Sequence, residues 1–212
     1  VYLIVASSNA HFLFRGLIPL GARWWMIIVT SAIAYPIIKS KSIENISFFA
    51  SVGVVSSCVM GIAVLLGSSL DLIKGDAGGV NTDLFILKGV STSFTSIMFA
   101  YGANFVYPDV EKAMEDTSKW PSLMSKSTGF VSVIYIVISV VCYSAYGETV
   151  ESRVYDSISF PIIRIICNAM MMIHVLSTYP MPLLSMSMEL ERTYNSSRGN
   201  LIRTALIGVT FF

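Results

Sequence analysis

The sequence has few charged side chains for its length. Of its 212 residues, 13% are Asp, Glu, Lys or Arg, whereas 54% are hydrophobic and the mean hydropathy is +0.70. An ordinary soluble domain carries about 25% charged residues. Because so few charges cannot cover the surface of a water-soluble globule, we predict that lipid surrounds most of the chain.

The sequence also lacks the patterns that mark metal sites, enzymes and nucleic-acid binding. Its three cysteines all lie inside apolar runs, and there is neither a CxxC pair nor a histidine cluster. We interpret Cys58, Cys142 and Cys167 as buried, reduced side chains, since free cysteine behaves as a small hydrophobic residue. The net charge is +1 without a basic stripe, and no nucleophile–base pair or phosphate loop is present. We therefore expect no enzymatic activity, metal, cofactor or nucleic-acid partner.

Apolar runs divide the chain into about seven segments. The segments are Val1–Phe14, Trp24–Ile38, Ile43–Leu70, Leu84–Asp116, Pro121–Tyr146, Phe160–Tyr194 and Leu201–Phe212. Several of them approach the roughly 20 residues that a membrane helix needs. We predict an all-α, polytopic helical membrane protein. Because the first and last runs meet the ends of the sequence, we interpret the chain as an internal part of a longer protein.

Lysine and arginine residues indicate how the segments are oriented in the membrane. We take the turn between Lys39 and Asn45 as cytoplasmic, because cytoplasmic loops carry an excess of Lys and Arg. Alternation of the segments then places two acidic loops, Asp71–Asp83 and Gly147–Ser159, together on the opposite side.

Small and ionisable residues inside the segments predict contacts between helices. In the third segment, Gly53, Ser56, Ser57 and Gly61 suit close helix packing in lipid. His174 lies deep in the sixth segment, next to a run of methionines. An ionisable group at that depth is either part of a proton path or a neutral, hydrogen-bonded packing residue, and both interpretations stay open.

A polar break interrupts the fourth segment. The stretch FAYGANFVYPDVEKAM begins at Phe99 and places Gly102 and Asn104 after an apolar run, with Pro108 and several charges following. In hydrocarbon, non-helical backbone is tolerated only where it is buried in protein or lines a cavity. Gly102 permits a positive φ and close approach, and Asn104 offers donors and an acceptor. The break therefore indicates a solute site; the alternative is a simple kink or the end of a span.

The same stretch carries a family resemblance. SIMFAYGANFVYPDVEKAMEDTSKWP, residues 96–121, resembles the signature of the amino acid/auxin permease family, which typically reads F-A-[FY]-G-G-H-x-V-[FY]-P-E-I. An earlier stretch, WWMIIVTSAIAYPIIKSKSIENISFFASVGVVSS, and two later ones, GFVSVIYIVISVVCYSAYGETV and IHVLSTYPMPLLSMSMELER, are similar to further family segments in the same order. The resemblance covers essentially the whole chain.

This resemblance implies a fold and a substrate site. The fold would be an inverted-repeat (LeuT-like) transporter of eleven spans, with residues 1–212 forming a partial transporter domain that runs from the third span into the ninth. The broken helix would be the sixth span. Its substrate-binding residues would be Phe99, Ala100, Tyr101, Gly102, Ala103 and Asn104. The chain departs from the family at Ala103 and Asn104, where Gly and His are usual, and Asn cannot carry a proton at physiological pH.

The resemblance also implies candidates for a coupling ion, which would be a proton or a sodium ion. Ser177 and Thr178 lie where related inverted-repeat transporters use hydroxyl groups to coordinate sodium. The alternative is that these hydroxyls bond to carbonyls of their own helix beside Pro180.

We therefore expect secondary active transport of amino acids or related small solutes by alternating access. The protein would be integral to the plasma membrane or to a vacuolar or lysosomal membrane, with the lipid bilayer and the solute as its partners. Two alternatives stay open. One is an amino acid sensor that uses the same pocket without transport, and the other is a seven-helix receptor, to which the stretch Glu191–Tyr194 bears a faint similarity.

Overall fold

The part of the protein that its structure describes is mainly helical. A computed structural model describes residues 2–14, 16, 18, 20–39, 44–75, 87–102, 107–194, 205, 206 and 208, and no strand occurs among them. The α-helices are α1 (Tyr2–Phe14), α2 (Ala22–Lys39), α3 (Glu44–Lys74), α4 (Val90–Ala100), α5 (Tyr107–Lys112), α6 (Trp120–Tyr146), α7 (Pro161–Thr178) and α8 (Pro180–Tyr194). The prediction of an all-α protein is confirmed.

Three helical stretches are long and apolar enough to cross a membrane: Phe48–Lys74, Thr117–Thr149 and Pro161–Glu191. On α6 the large apolar side chains Phe130, Val133, Ile136 and Val140 are all more than half exposed. Exposed apolar side chains along a helix of this length are what contact with lipid requires. The predicted last segment, 201–212, lies almost entirely outside the described residues.

The described chain forms two compact units. The first comprises Val1–Ile62 and Arg164–Phe212. Its core joins α1, α2, α7 and α8, and a stacked pair formed by Phe14 and Trp25, with ring centroids 5.1 Å apart, extends it. The buried core residues are Leu3, Ala6, Ala10, Trp25, Val29, Val175 and Leu183. The two alanines of α1 let helices approach closely, as packing in lipid favours.

The second unit, Ala63–Ile163, contains the end of α3, helices α4 to α6 and the loop after α6. Ile158 of that loop is completely buried. It packs on Gly67 of α3, where a Cβ would lie 2.9 Å from Ile158 Cγ2 and 3.2 Å from Ile163 Cγ2. A glycine is therefore needed at this point for the loop to reach the helix.

Asp71 lies in a helix and not in the loop that the sequence analysis predicted. Helix α3 continues to Lys74, and Asp71 is only 2% exposed. Its Oδ2 accepts hydrogen bonds from the hydroxyl of Tyr146 (2.8 Å) and from the backbone N–H of Ser159 (3.0 Å). These donors take the place of water at Oδ2. The contact also brings the C-terminal ends of α3 and α6 together.

The predicted segment Phe160–Tyr194 consists of two helices. Helix α7 ends at Thr178, a turn follows at Tyr179, and α8 begins at Pro180. Proline has no N–H to donate to the carbonyl of Leu176, so the helix is interrupted at this position.

The cysteine prediction is confirmed at two positions and wrong at the third. Cys142 and Cys167 are buried free thiols, whereas Cys58 is a free thiol exposed on α3. An apolar run does not distinguish the two cases, because a lipid-facing position and a protein-facing position both favour apolar residues.

We predict that Gly67→Ala lowers the thermal unfolding midpoint of the purified protein in detergent. The new methyl group would crowd Ile158, and overpacking of a filled site costs about 1–3 kcal/mol. Gly129→Ala in α6 is the matched control, because nothing lies within 4 Å of a Cβ at that position. Equal midpoints for the two variants would show that Gly67 is not a packing contact.

Candidate functional site

The helix break predicted in the fourth segment begins at the end of α4. Helix α4 ends at Ala100, Tyr101 lies in a turn, Gly102 is not helical, and α5 begins at Tyr107. The N–H of Tyr101 donates to the carbonyl of Ile97 (3.2 Å), and the N–H of Gly102 donates to that of Phe99 (3.1 Å). The structure thus brings the first four predicted substrate residues together at the C-terminus of α4. Ala103 and Asn104 lie outside the described residues.

Gly102 is required here for close approach and not for a positive φ. The described glycines with positive φ are Gly75 and Gly147, so Gly102 does not use the positive φ that a glycine permits. A Cβ at Gly102 would lie 3.1 Å from the carbonyl oxygen of Phe99 and 3.3 Å from that of Met98. Any side chain would therefore crowd the carbonyl groups that end α4.

Tyr101 attaches the end of α4 to α6 within the second unit. Its hydroxyl lies 2.7 Å from Ser132 Oγ, and the Ser132 hydroxyl donates to the carbonyl of Thr128 at 2.8 Å. Because the Ser132 proton is used in that bond, Tyr101 is the donor to Ser132. The ring of Tyr101 also meets the ring of Tyr135 edge to face, with centroids 5.8 Å apart. These contacts fix the position at which α4 stops.

The end of α4 has the electrostatic character of a cation-binding surface. The C-terminal carbonyls of a helix lack intrahelical donors and carry the negative end of the helix dipole. Around them Phe99, Ala100 and Gly102 are exposed, with 61% exposure for the Phe99 side chain. An ammonium group could therefore reach this end of the helix.

Ser177 and Thr178 lie in the last turn of α7, in the first unit. Ser177 is buried, and the Thr178 hydroxyl donates to the carbonyl of His174 at 2.8 Å. This bond to a carbonyl of the same helix is the alternative to ion coordination that the sequence analysis gave for Thr178. It uses the hydroxyl proton and leaves the oxygen lone pairs as acceptors.

Helices α3 and α7 meet at Gly53 in the same unit. A Cβ at Gly53 would lie 2.5 Å from Thr178 Cγ2 and 3.7 Å from Ser177 Cβ. The predicted role of Gly53 in close helix packing is therefore confirmed, and its partner is the pair of residues predicted as coupling-ion ligands. The sequence indicated the small residue but not the helix that it faces.

His174 completes this contact through its Nδ1 atom. Nδ1 lies 2.6 Å from Ser57 Oγ and 3.0 Å from the carbonyl oxygen of Gly53. Ser57 Oγ is itself 3.0 Å from the same carbonyl. A protonated Nδ1 can donate to the carbonyl, and a deprotonated one can accept from the Ser57 hydroxyl, so Nδ1 has a partner in either tautomer. This geometry supports the packing interpretation of His174.

We predict that Gly53→Ala lowers the thermal unfolding midpoint and that adding Thr178→Ser restores most of the loss. Serine keeps the hydroxyl that bonds to His174 and removes the methyl group that the new Cβ would meet. Thr178→Ser alone is the control and should change the midpoint little. If the double variant is no more stable than Gly53→Ala, the Thr178 methyl group is not the contact that requires glycine.

Comparison with known proteins identifies the family. Residues 1–201 match the family described as transmembrane amino acid transporter protein. Amino acid transporter AVT1D of Arabidopsis thaliana is 27% identical over 159 residues, which cover 72% of this chain and 28% of the relative. AVT1H of the same species is 25% identical over 215 residues, covering 97% of this chain and 48% of the relative.

A vesicular protein is also similar to the chain. The vesicular inhibitory amino acid transporter of Rattus norvegicus is 22% identical over 193 residues, which cover 91% of this chain and 36% of the relative. The chain spans less than half the length of each of these relatives. No solved structure matches it. The predicted resemblance is confirmed: the chain belongs to the transmembrane amino acid transporter family, whose members are integral membrane proteins.

Proposed function

We propose that this protein is a secondary active transporter of amino acids or related small solutes, coupled to a proton or sodium gradient. The observation that carries the proposal is the end of the apolar helix α4 at Ala100, on the motif that resembles the family signature. Family membership and the names of the relatives, which are amino acid transporters, also support it.

The proposed solute site is built on the residues Phe99, Ala100, Tyr101, Gly102, Ala103 and Asn104. The carbonyl groups at the end of α4 suit the α-ammonium group of an amino acid, because both the helix dipole and the free lone pairs favour a positive charge. Gly102 keeps these carbonyls uncovered. Tyr101 holds the helix end against α6 through its bond to Ser132.

The proposed coupling-ion site uses the end of α7. Ser177 and Thr178 provide hydroxyl oxygens, and the carbonyl of Leu176 receives no N–H from Pro180. Oxygen atoms of this kind, concentrated at an interrupted membrane helix, are suitable ligands for a small cation. In this proposal the solute and the cation bind from one side of the membrane, and a rocking motion of the inverted repeats then opens the site to the other side.

The membrane is the plasma membrane or a vacuolar or lysosomal membrane in this proposal. The vesicular relative, whose name describes an inhibitory amino acid transporter, favours an intracellular compartment. An amino acid sensor with the same pocket is the alternative that the test below separates. The seven-helix receptor is no longer retained, because the family match covers residues 1–201.

We predict gradient-driven uptake that depends on Gly102. The protein, expressed from its complete coding sequence and reconstituted in liposomes, should accumulate a labelled amino acid mixture under an imposed pH or sodium gradient. Gly102→Leu should reduce uptake at least about tenfold, because the side chain covers the carbonyls that would bind the solute. Gly129→Leu, at a position with open space around it, should retain uptake.

Two other outcomes would replace the proposal. Amino acid binding that Gly102→Leu abolishes, without uptake under either gradient, would establish the sensor. Equal uptake by the Gly102→Leu and Gly129→Leu variants would remove the solute site from the end of α4.

A further inference from the structure

Asp71 is the one acidic or basic side chain that is fully buried among the residues whose side chains the structure describes. It lies in the last turn of α3, inside the candidate span Phe48–Lys74. A charged group near the end of a membrane helix ordinarily reaches toward the polar interface. At 2% exposure Asp71 does not do so. Its position inside the second unit therefore needs an explanation other than snorkelling.

The two oxygen atoms of Asp71 have different surroundings. Oδ2 accepts from the Tyr146 hydroxyl at 2.8 Å and from the Ser159 N–H at 3.0 Å. Oδ1 is buried and has no hydrogen-bond partner within the described part of the chain. A carboxylate inside protein is stable only when its charge and its lone pairs are both compensated. In the described residues only one oxygen is compensated.

Within the described residues, the groups that contact Asp71 are a hydroxyl and a backbone amide, and neither is positively charged. From α6, the titratable groups that face it are Tyr146 and, beyond it, Cys142. From its own helix, Ser68 is completely buried, with Oγ 3.5 Å from Cys142 Sγ, and also interacts with Tyr146. The loop after α6 contributes the Ser159 amide. Lys74, the nearest basic residue along α3, stands over the ring of Phe160 with its Nζ 4.0 Å from the centroid.

We propose that Asp71 Oδ1 binds the cation that accompanies the solute, a proton or a sodium ion, with Ser68 and Tyr146 as neighbouring polar groups. A bound cation would neutralise the carboxylate and give Oδ1 the partner that the described residues lack. When the cation leaves, the buried charge would destabilise this arrangement of α3, α6 and the loop. Cation binding at Asp71 would therefore favour one conformation over another, which is what coupling requires.

This inference rests on the proposed function, and it places the coupling ion at Asp71 instead of at Ser177 and Thr178 at the end of α7. Asp71 is not part of the family signature. Cation binding by Asp71 can also be distinguished from a purely structural role of this residue. A structural Asp71 would only join α3 to Tyr146 and Ser159, and any acceptor of the same shape would suffice. A cation-binding Asp71 needs its negative charge.

Two single-atom changes separate these roles. Asp71→Asn keeps an oxygen acceptor for Tyr146 and Ser159 but removes the charge. Tyr146→Phe removes one hydrogen bond and leaves the carboxylate in place. Wild type and both variants, expressed from the complete coding sequence, are compared in liposomes under a pH gradient without sodium and under a sodium gradient at equal pH. Solute counterflow, which needs no net ion movement, is measured in parallel.

We expect Asp71→Asn to lower gradient-driven accumulation at least about tenfold while counterflow stays within about twofold of wild type. The driving gradient that wild type responds to identifies the ion. Tyr146→Phe keeps the carboxylate but loses a neighbouring polar group, so it should have a lower thermal midpoint and still accumulate solute with the same ion, at a shifted ion concentration. In the absence of solute, the ion that drives uptake should raise the thermal midpoint of wild type but not of Asp71→Asn, because binding to the native state is stabilising.

Unchanged ion dependence in Asp71→Asn would overturn the assignment. If that variant does not fold, Asp71→Glu decides. The longer carboxylate should shift the ion concentration at half-maximal uptake by about tenfold, and an unshifted value would overturn the assignment equally. Wild type that shows no gradient-driven uptake would contradict the proposed function itself. If wild type shows gradient-driven uptake and Asp71→Asn depends on the ion in the same way, only this inference is contradicted.

Discussion

Every break in a membrane helix leaves backbone groups that lipid cannot satisfy, and this constraint explains where the polar features of the chain lie. Helix α4 ends at Ala100. Directly after it, the Tyr101 hydroxyl bonds to Ser132 and the N–H of Gly102 donates to the carbonyl of Phe99. Helix α7 stops at Thr178, where Pro180 removes a donor. At both helix ends, backbone carbonyl oxygens lie next to hydroxyl groups, and this is why we propose binding of a solute or a cation there.

Buried polar side chains obey the same constraint, and they differ in how fully they are satisfied. The Nδ1 atom of His174 has partners in Ser57 and the Gly53 carbonyl, which supports the packing interpretation of this residue. Asp71 is compensated on one oxygen only. The sequence draws attention to the histidine in the methionine run, whereas the structure leads us to propose a cation at the acidic side chain of Asp71.

Much of the helical architecture could be predicted, because a lipid-exposed helix must be apolar over its whole length. The break near Gly102 was predictable for the same reason. Predictions for single side chains were less successful where contacts with distant segments of the sequence determine their burial and surroundings. Asp71 was assigned to a loop because its partners, Tyr146 and Ser159, are remote in sequence. Cys58 was taken as buried because lipid-facing and protein-facing positions have similar composition. Gly102 needs space beside the Phe99 carbonyl, which depends on atomic positions.

The central claim, that the end of α4 lines a water-accessible solute site inside the membrane, can be tested by thiol labelling. Single cysteines are introduced as Phe99→Cys and Ala100→Cys in a background without native cysteines, with Phe130→Cys and Val133→Cys on the exposed apolar face of α6 as controls. A membrane-impermeant reagent needs a hydrated thiolate. The account predicts labelling at 99 and 100 that amino acids slow, and none at 130 and 133. Equal reactivity at all four positions, or labelling that amino acids leave unchanged, would contradict it.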